Sequence, residues 1–261
     1  MKLNNNTLKF LSIKLLVIIG LFMLPINSLQ RKSLCETGTA QSPIKLNLSK
    51  YAPMPDPNIK ILYNSVPAKM NWDFKIGAFS IDIPVSEQKN YPVEFLPVDL
   101  KTDKLLPKKV FLLEKILFKL KSEHVFDEEN SSMEIQFIHR VDKTEPKYFH
   151  NRLAFSVMVE PTDDEAKIDN FLLNILPYAQ FEMTGIMKAT NGSPYYHYIG
   201  SLTNPPCSQD VNWVVFDKTF YMSSGIYNSI KSVLKQKTGK EFNNRPLRNL
   251  GGRKVYKSGG D

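Results

Sequence analysis

Residues 117–139 read Leu117-Phe118-Lys119-Leu120-Lys121-Ser122-Glu123-His124-Val125-Phe126-Asp127-Glu128-Glu129-Asn130-Ser131-Ser132-Met133-Glu134-Ile135-Gln136-Phe137-Ile138-His139. Both ends read as strands. Side chains alternate between faces in extended chain, so Leu117 and Lys119 share a face. Glu134, Gln136 and Ile138 share a face in the second segment, opposite Met133, Ile135 and Phe137. Charged and amide groups thus recur at positions of one face, between apolar residues of the other.

The surrounding chain sets the class. Its 261 residues, 42% hydrophobic, are enough to bury one core, and large β domains reach this size as one unit. The formal charge is +8, of which Lys2, Lys9 and Lys14 supply three without a neighbouring acid. The remaining bias is mild. It suits a solvated basic surface or an acidic partner, and it is far from a nucleic-acid footprint.

Lys9 and Lys14 precede the apolar run Leu15-Leu16-Val17-Ile18-Ile19-Gly20-Leu21-Phe22-Met23-Leu24, which Pro25 ends. A basic flank, a short apolar core and a polar exit describe a secretory leader over residues 1–28, with the domain at 29–261. The run is short for a bilayer span, so no transmembrane segment is expected in the mature chain. No clean small-x-small cleavage site follows, which leaves an uncleaved anchor as the alternative. The C-terminal Lys257-Ser258-Gly259-Gly260-Asp261 has no apolar tail and hence no lipid-anchor signal. The expected location is outside the cell or in the secretory lumen.

Cys35 and Cys207 are the two cysteines. An even count in a secreted chain implies a bridge; two buried thiols are the alternative. Loop-entropy models would give so long a loop about 4–5 kcal/mol, an upper figure if strain intrudes. Asn47-Leu48-Ser49, Asn130-Ser131-Ser132 and Asn191-Gly192-Ser193 are glycosylation sequons, the last weakened by Pro194.

Ile59 to Tyr63 and Ala78 to Ile83 read as strands by alternation and β-branched content. Residues 84–107 carry four prolines and many charges, and read as a loop with a short edge strand. The run Leu153-Ala154-Phe155-Ser156-Val157-Met158-Val159 suits a strand buried on both faces. Asp163 and Asp164 open a helical stretch with Ile168, Leu172, Ile175 and Leu176, stopped by Pro177. A second helix starts near Ser224, with Ile226, Ile230, Val233 and Leu234 on one face and Gly239 at its exit.

The span 117–139 resembles the zinc-binding hairpin of the α-carbonic anhydrases, which in bacterial-type members reads F-H-F-H-x-x-S-E-H and then M-E-x-H-x-x-H. Ser122-Glu123-His124 and Met133-Glu134 through His139 match without a gap. Four further segments follow the family's order. Cys35 to Ile44 resembles its C-x-x-G-x-x-Q-S-P-I opening. Tyr195 to Cys207, with Trp213 after it, resembles Y-Y-x-Y-x-G-S-L-T-T-P-P-C. Asn243-Asn244-Arg245-Pro246 and Gly252-Arg253-Lys254-Val255 resemble the N-N-R-P and N-G-R-x-V ending. The resemblance implies a mostly β (α+β) fold, one domain on a large, mostly antiparallel, twisted central sheet with short peripheral helices. It also implies that Cys35 and Cys207 are bonded.

The implied chemistry is another matter. The family is itself the reference case of a three-histidine zinc that acidifies bound water to about pKa 7. Leu117, Lys119 and Gln136 stand at the three ligand positions. Leucine has no donor, an ammonium repels a dication, and an amide oxygen is a weak ligand. Ala78 stands where the proton-transfer histidine belongs. Glu123 and Thr203 match the pair that orients the zinc-bound hydroxide, and Glu134 the carboxylate behind the third histidine. His124 and His139 match structural histidines; His150 falls in a polar loop and His197 in a Tyr-rich strand.

These departures lead to the expectation of a secreted pseudoenzyme: zinc lost, no cofactor, no intact catalytic set. Relatives without the histidines serve as binding modules, so the expected partner is a protein or an acidic glycan. The basic stretch Lys101, Lys104, Lys108 and Lys109, diluted by Asp99 and Asp103, is the candidate surface for such a glycan. In the old metal site, Lys119 is expected to reach towards Gln136 and Glu134 as a structural cation, or else to turn to solvent. The rival class is an enzyme, either a carbonic anhydrase hydrating CO2 with unorthodox ligation or a cleft reused for another hydrolysis.

Overall fold

Strands dominate the described residues, the central ones buried on both faces. The computed structural model describes residues 33–47, 51–53, 59–64, 71–73, 79–99, 102, 104–142, 151–173 and 183–259. The expected leader, Ala78, Lys101 and His150 lie outside them.

In chain order the strands are β1 (Lys45–Leu46), β2 (Ala52–Pro53), β3 (Ile59–Ile61), β4 (Asn71–Asp73), β5 (Phe79–Asp82), β6 (Pro92–Phe95), β7 (Val98–Asp99) and β8 (Lys104–Leu105). Then come β9 (Lys109–Leu120), β10 (Val125–Phe126), β11 (Met133–Val141), β12 (Arg152–Thr162), β13 (Tyr195–Ser201), β14 (Gln209–Ser223) and β15 (Val255–Lys257). One eleven-stranded sheet runs β2-β15-β13-β14-β12-β11-β9-β5-β4, with β6 also on β9 and β3 on β6. Its pairs are antiparallel except β12 with β14 and β15 with β2. The expected fold, mostly antiparallel β with few short helices, is the one observed.

β9 and β11 pair as the alternation requires, Glu134 opposite Lys119 and Gln136 opposite Leu117. One face packs Phe118, Ile135, Phe137 and Phe155 into the larger core, beneath helices α2 (Thr184–Thr190) and α3 (Ser224–Thr238). The other face holds Leu117, Ile138, Ala154, Tyr198 and Trp213 in a smaller one. The register slips between Ile138 and His139, which steps from Lys115 to Leu113 on β9 and leaves Glu114 unmatched. Such a bulge re-aims the side chains beyond it.

Helix α3 forms as the sequence directs. The Ser223 side chain accepts from the Gly225 N–H, Ile230 and Leu234 are buried, and Gly239 closes the helix at φ 72°. The helix expected from Asp163 does not form as one piece. Two 3-10 turns replace it, Glu165–Lys167 and Asn170–Leu172. Asp169 between them is pinned to β14, its carboxylate and its N–H bonding the N–H and carbonyl of Tyr221. Backbone spent on a strand cannot also continue a helix. Ile175 and Leu176 lie outside the described residues. Helix α2 has no counterpart in the sequence reading. Its N-terminal position makes no side-chain cap, and Gly185 sits where an added Cβ would meet Phe171 Cβ at 2.6 Å.

Residues 84–107 contain more order than a loop: a 3-10 turn at Gln88–Asn90, β6, and the small antiparallel pair β7 with β8. Among the described residues no helix is long and apolar enough to cross a membrane.

The N-terminal segment is fastened by the disulfide Cys35–Cys207, which bears out the implied pairing. Helix α1 (Leu34–Thr37) carries the first cysteine. Arg245 adds two strong ties, Nη1 donating to Ser42 O at 2.7 Å and Nη2 to Cys35 O at 2.6 Å. Arg253 Nη2 donates to Gln41 O at 2.8 Å. Gly200 is needed where these layers close, because a Cβ there would lie 2.1 Å from Ser42 Oγ. Gly200→Ala should therefore cost about 1–3 kcal/mol of overpacking, measurable by urea denaturation. An unchanged midpoint would show that Ser42 moves freely.

Candidate functional site

The face of β9 and β11 that carries Leu117, Lys119, Glu134 and Gln136 is buried, and its polar groups satisfy one another. Lys119 is 1% exposed. Its Nζ donates to Glu123 Oε1 at 2.8 Å and to Asn204 Oδ1 at 2.6 Å. The cation has not turned to solvent, and its partners are not Glu134 and Gln136. Glu134 is engaged elsewhere. Its Oε2 accepts the backbone N–H groups of Glu123 and His124, both at 2.8 Å, and its Oε1 faces His124 Nδ1 at 2.8 Å. Burial by itself raises the Glu134 carboxyl; the His124 ring, the backbone N–H and the Gln136 amide together outweigh it and lower it to about 2.

Gln136 links the two carboxylates. Its Nε2 donates to Glu123 Oε2 at 2.8 Å and to Glu134 Oε1 at 3.1 Å, and its Oε1 accepts from Thr203 Oγ1 at 3.2 Å. Glu123 and Thr203, expected as a pair, thus meet through this amide. Glu123 Oε1 also accepts the Arg245 backbone N–H at 2.8 Å. Every charged group in the cluster has charge-assisted partners, the condition for keeping ions out of water. Beyond Glu134 the chain of contacts continues from His124 Nε2 to Tyr198 OH at 2.7 Å, whose hydroxyl donates to Ser42 Oγ at 2.8 Å.

His139 lies on the opposite face. Its Nε2 meets Tyr63 OH at 2.6 Å, and its Nδ1 donates to Phe137 O at 3.0 Å. Burial lowers its pKa to about 3, so the ring is neutral. His197 is buried in β13 with Nδ1 donating to Trp213 O at 2.9 Å. Neither histidine belongs to the Lys119 cluster.

Two participants were missed in the sequence: Asn204, which holds the ammonium, and Asn243, whose side chain accepts from Leu120 N–H at 2.8 Å and donates to Phe118 O at 2.9 Å. A signal for the first existed, since Asn204 departs from the second threonine of T-T-P-P at the same segment that supplies Thr203.

The candidate surface residues are spread out. Lys104 is exposed, Lys108 Nζ lies 3.1 Å from Glu94, and Lys109 is buried. The three described lysines thus make no continuous cationic face. Among the sequons, Asn191 is exposed at the end of α2, Asn47 is half-buried, and Asn130 Nδ2 donates to Ser122 O at 2.9 Å.

Comparison with known proteins places this architecture. The family model for eukaryotic-type carbonic anhydrase matches residues 28–259. The chain belongs to the carbonic anhydrase family. A carbonic anhydrase of Neisseria gonorrhoeae is 26% identical over 228 residues, covering 85% of this chain and 79% of that one. Carbonic anhydrase 4 of Oryctolagus cuniculus is 29% identical over 163 residues, 52% of this chain and 51% of that protein, so this match spans about half of that relative. Among solved structures, the α-carbonic anhydrase from Thermovibrio ammonificans superposes with a TM-score of 0.64 at 23% identity, over 85% of this chain and 89% of that one. That likeness concerns the fold.

Proposed function

We propose that this carbonic anhydrase family member is a secreted, zinc-free pseudoenzyme that acts as a binding or structural module. The observation that carries the reading is the buried Lys119 ammonium, held between Glu123 and Asn204 at one of the three positions where the family resemblance places zinc ligands. The residues present do not fit zinc. Leu117 brings no donor atom, Lys119 brings a positive charge, and Gln136 turns its amide nitrogen to both carboxylates and its oxygen to Thr203. Among the described residues, no three of His, Cys, Asp and Glu gather as a metal-holding group. With these donors, the cluster reads as a closed electrostatic unit in which a lysine supplies the positive charge.

Secretion is supported by the Cys35–Cys207 bridge, since such bonds persist in oxidising compartments, and by the leader-like residues 1–28. A glycan is sterically simplest at the exposed Asn191; at Asn130 it would displace the bond to Ser122 O. The partner class is a protein or an acidic glycan that uses the fold as a scaffold.

Stopped-flow CO2 hydration tests the reading. Purified protein, with and without added zinc, should give no rate above buffer. A zinc-dependent rate saturating in CO2 would sink it and establish the rival, an enzyme of unorthodox ligation.

A further inference from the structure

A cleft of about 500 Å3 borders the candidate site through Leu117 and Asn204, within the size range of small-molecule sites. Its inner wall is apolar. Leu117 and Ile138 line it from neighbouring strands, and Leu202 and Pro205 from the segment that precedes Cys207. Asn204 stands in the same wall. Its oxygen accepts from the Lys119 ammonium, so the amide turns its donor end to anything else it meets. The buried network beneath therefore fixes a hydrogen-bond donor in an apolar wall.

Among the described residues, the mouth carries more positive than negative charge. Arg140 and Arg152 are cross-strand neighbours on β11 and β12. Their Nε atoms lie 3.0 and 4.0 Å from the two oxygens of one carboxylate, Glu114, which the β9 bulge sets apart from the ladder. Lys115 pairs with Asp82 at 2.8 Å. Among the described residues, three cations thus meet two carboxylates at the rim. A guanidinium presents a planar fork of donors suited to carboxylate oxygens, and two forks share a single acid here.

We infer that this cleft binds a small amphipathic organic anion, its carboxylate at Arg140 and Arg152 and its apolar body against Leu117, Ile138 and Leu202. This rests on the reading of the cleft as zinc-free and deepens it by naming the ligand class. The body replaces water over apolar wall, and the anion balances the surplus cation. A neutral analogue keeps the first contribution and lacks the second; a bare anion has only the second.

Isothermal titration calorimetry on the full purified protein tests this with 2-naphthoate, its neutral isostere 2-naphthamide, and acetate. Saturable one-to-one binding of 2-naphthoate is expected, with the other two at least tenfold weaker. The double variant Arg140→Gln/Arg152→Gln should weaken 2-naphthoate at least tenfold. Arg140→Gln alone should weaken it severalfold, which keeps the test valid if the double variant does not fold. Lys108→Gln, a lysine outside the cleft, should leave it unchanged. Equal binding of naphthoate and naphthamide, insensitivity to the arginine substitutions, or no naphthoate binding at millimolar concentration would overturn the inference. CO2 hydration and zinc are measured on the same preparation. Absence of binding in inactive, zinc-free protein removes the ligand class alone, whereas zinc with hydration removes the pseudoenzyme reading beneath it.

Discussion

Replacing Lys119 by methionine is expected to lower the unfolding free energy by about 3–5 kcal/mol, the cost of breaking a buried ion pair from one side. Methionine fills similar volume without charge. Glu123 then keeps its two neutral donors, Gln136 Nε2 and the Arg245 N–H, but loses its counter-ion while fully buried. Asn204 loses its donor as well. The comparison is Lys115→Met, which breaks the pair with Asp82 at the surface, where both side chains are about two-fifths exposed. Solvent screens such a pair, so that variant should stay within about 1 kcal/mol of the parent. Urea denaturation of the three proteins separates the cases. A Lys119→Met variant as stable as the parent would remove Lys119 as the structural cation.

Acid should weaken the protein in two stages. His139 has a pKa near 3 when folded against an ordinary 6.5, because burial disfavours its charged form. The unfolded chain takes up a proton first, so stability present above pH 6.5 is lost as pH falls through the window to 3. The slope is about 1.4 kcal/mol per pH unit, close to 3 kcal/mol by pH 4.5. Glu134, held to about 2 against 4.5, adds its own loss below that point. Its sign is the same: the unfolded carboxylate protonates first. His139→Gln removes the first stage and keeps the second. Unfolding free energies of parent and variant from pH 7 to 4.5 should converge as pH falls. Parallel lines would show that His139 already carries its proton in the fold or never becomes buried.

The strands were legible from their β-branched and apolar runs, and because side chains alternate between faces, β9 against β11 comes out with Leu117, Lys119, Glu134 and Gln136 on one face, although both faces are buried. Helix α3 was legible from its serine start, its apolar stripe and Gly239. The Cys35–Cys207 bond was legible from the even cysteine count of a chain read as secreted, and the family resemblance sharpened it, although its two ends lie 172 residues apart. Side-chain pairing inside the site was less legible. Lys119 faces Glu134 across the ladder, so the near carboxylate looked like its partner. Two backbone N–H groups and His124 hold Glu134 first, and the ammonium turns to Glu123 and to Asn204, which lies 85 residues along the chain. Competition among donors for one acceptor is a tertiary matter that alternation does not encode. The broken helix after Asp163 has the same origin, in the contact of Asp169 with Tyr221.

The central claim is that a lysine-centred ion cluster stands where the family resemblance places zinc. Zinc content tests it most directly, measured by mass spectrometry on the parent and on the triple variant Leu117→His/Lys119→His/Gln136→His, both purified from zinc-supplemented medium. The parent should hold well under one zinc per chain, and the variant close to one, since three imidazoles then replace an alkyl group, an ammonium and an amide. One zinc per chain in the parent would contradict the claim, and a variant without zinc would show that these three positions do not converge on the old metal site.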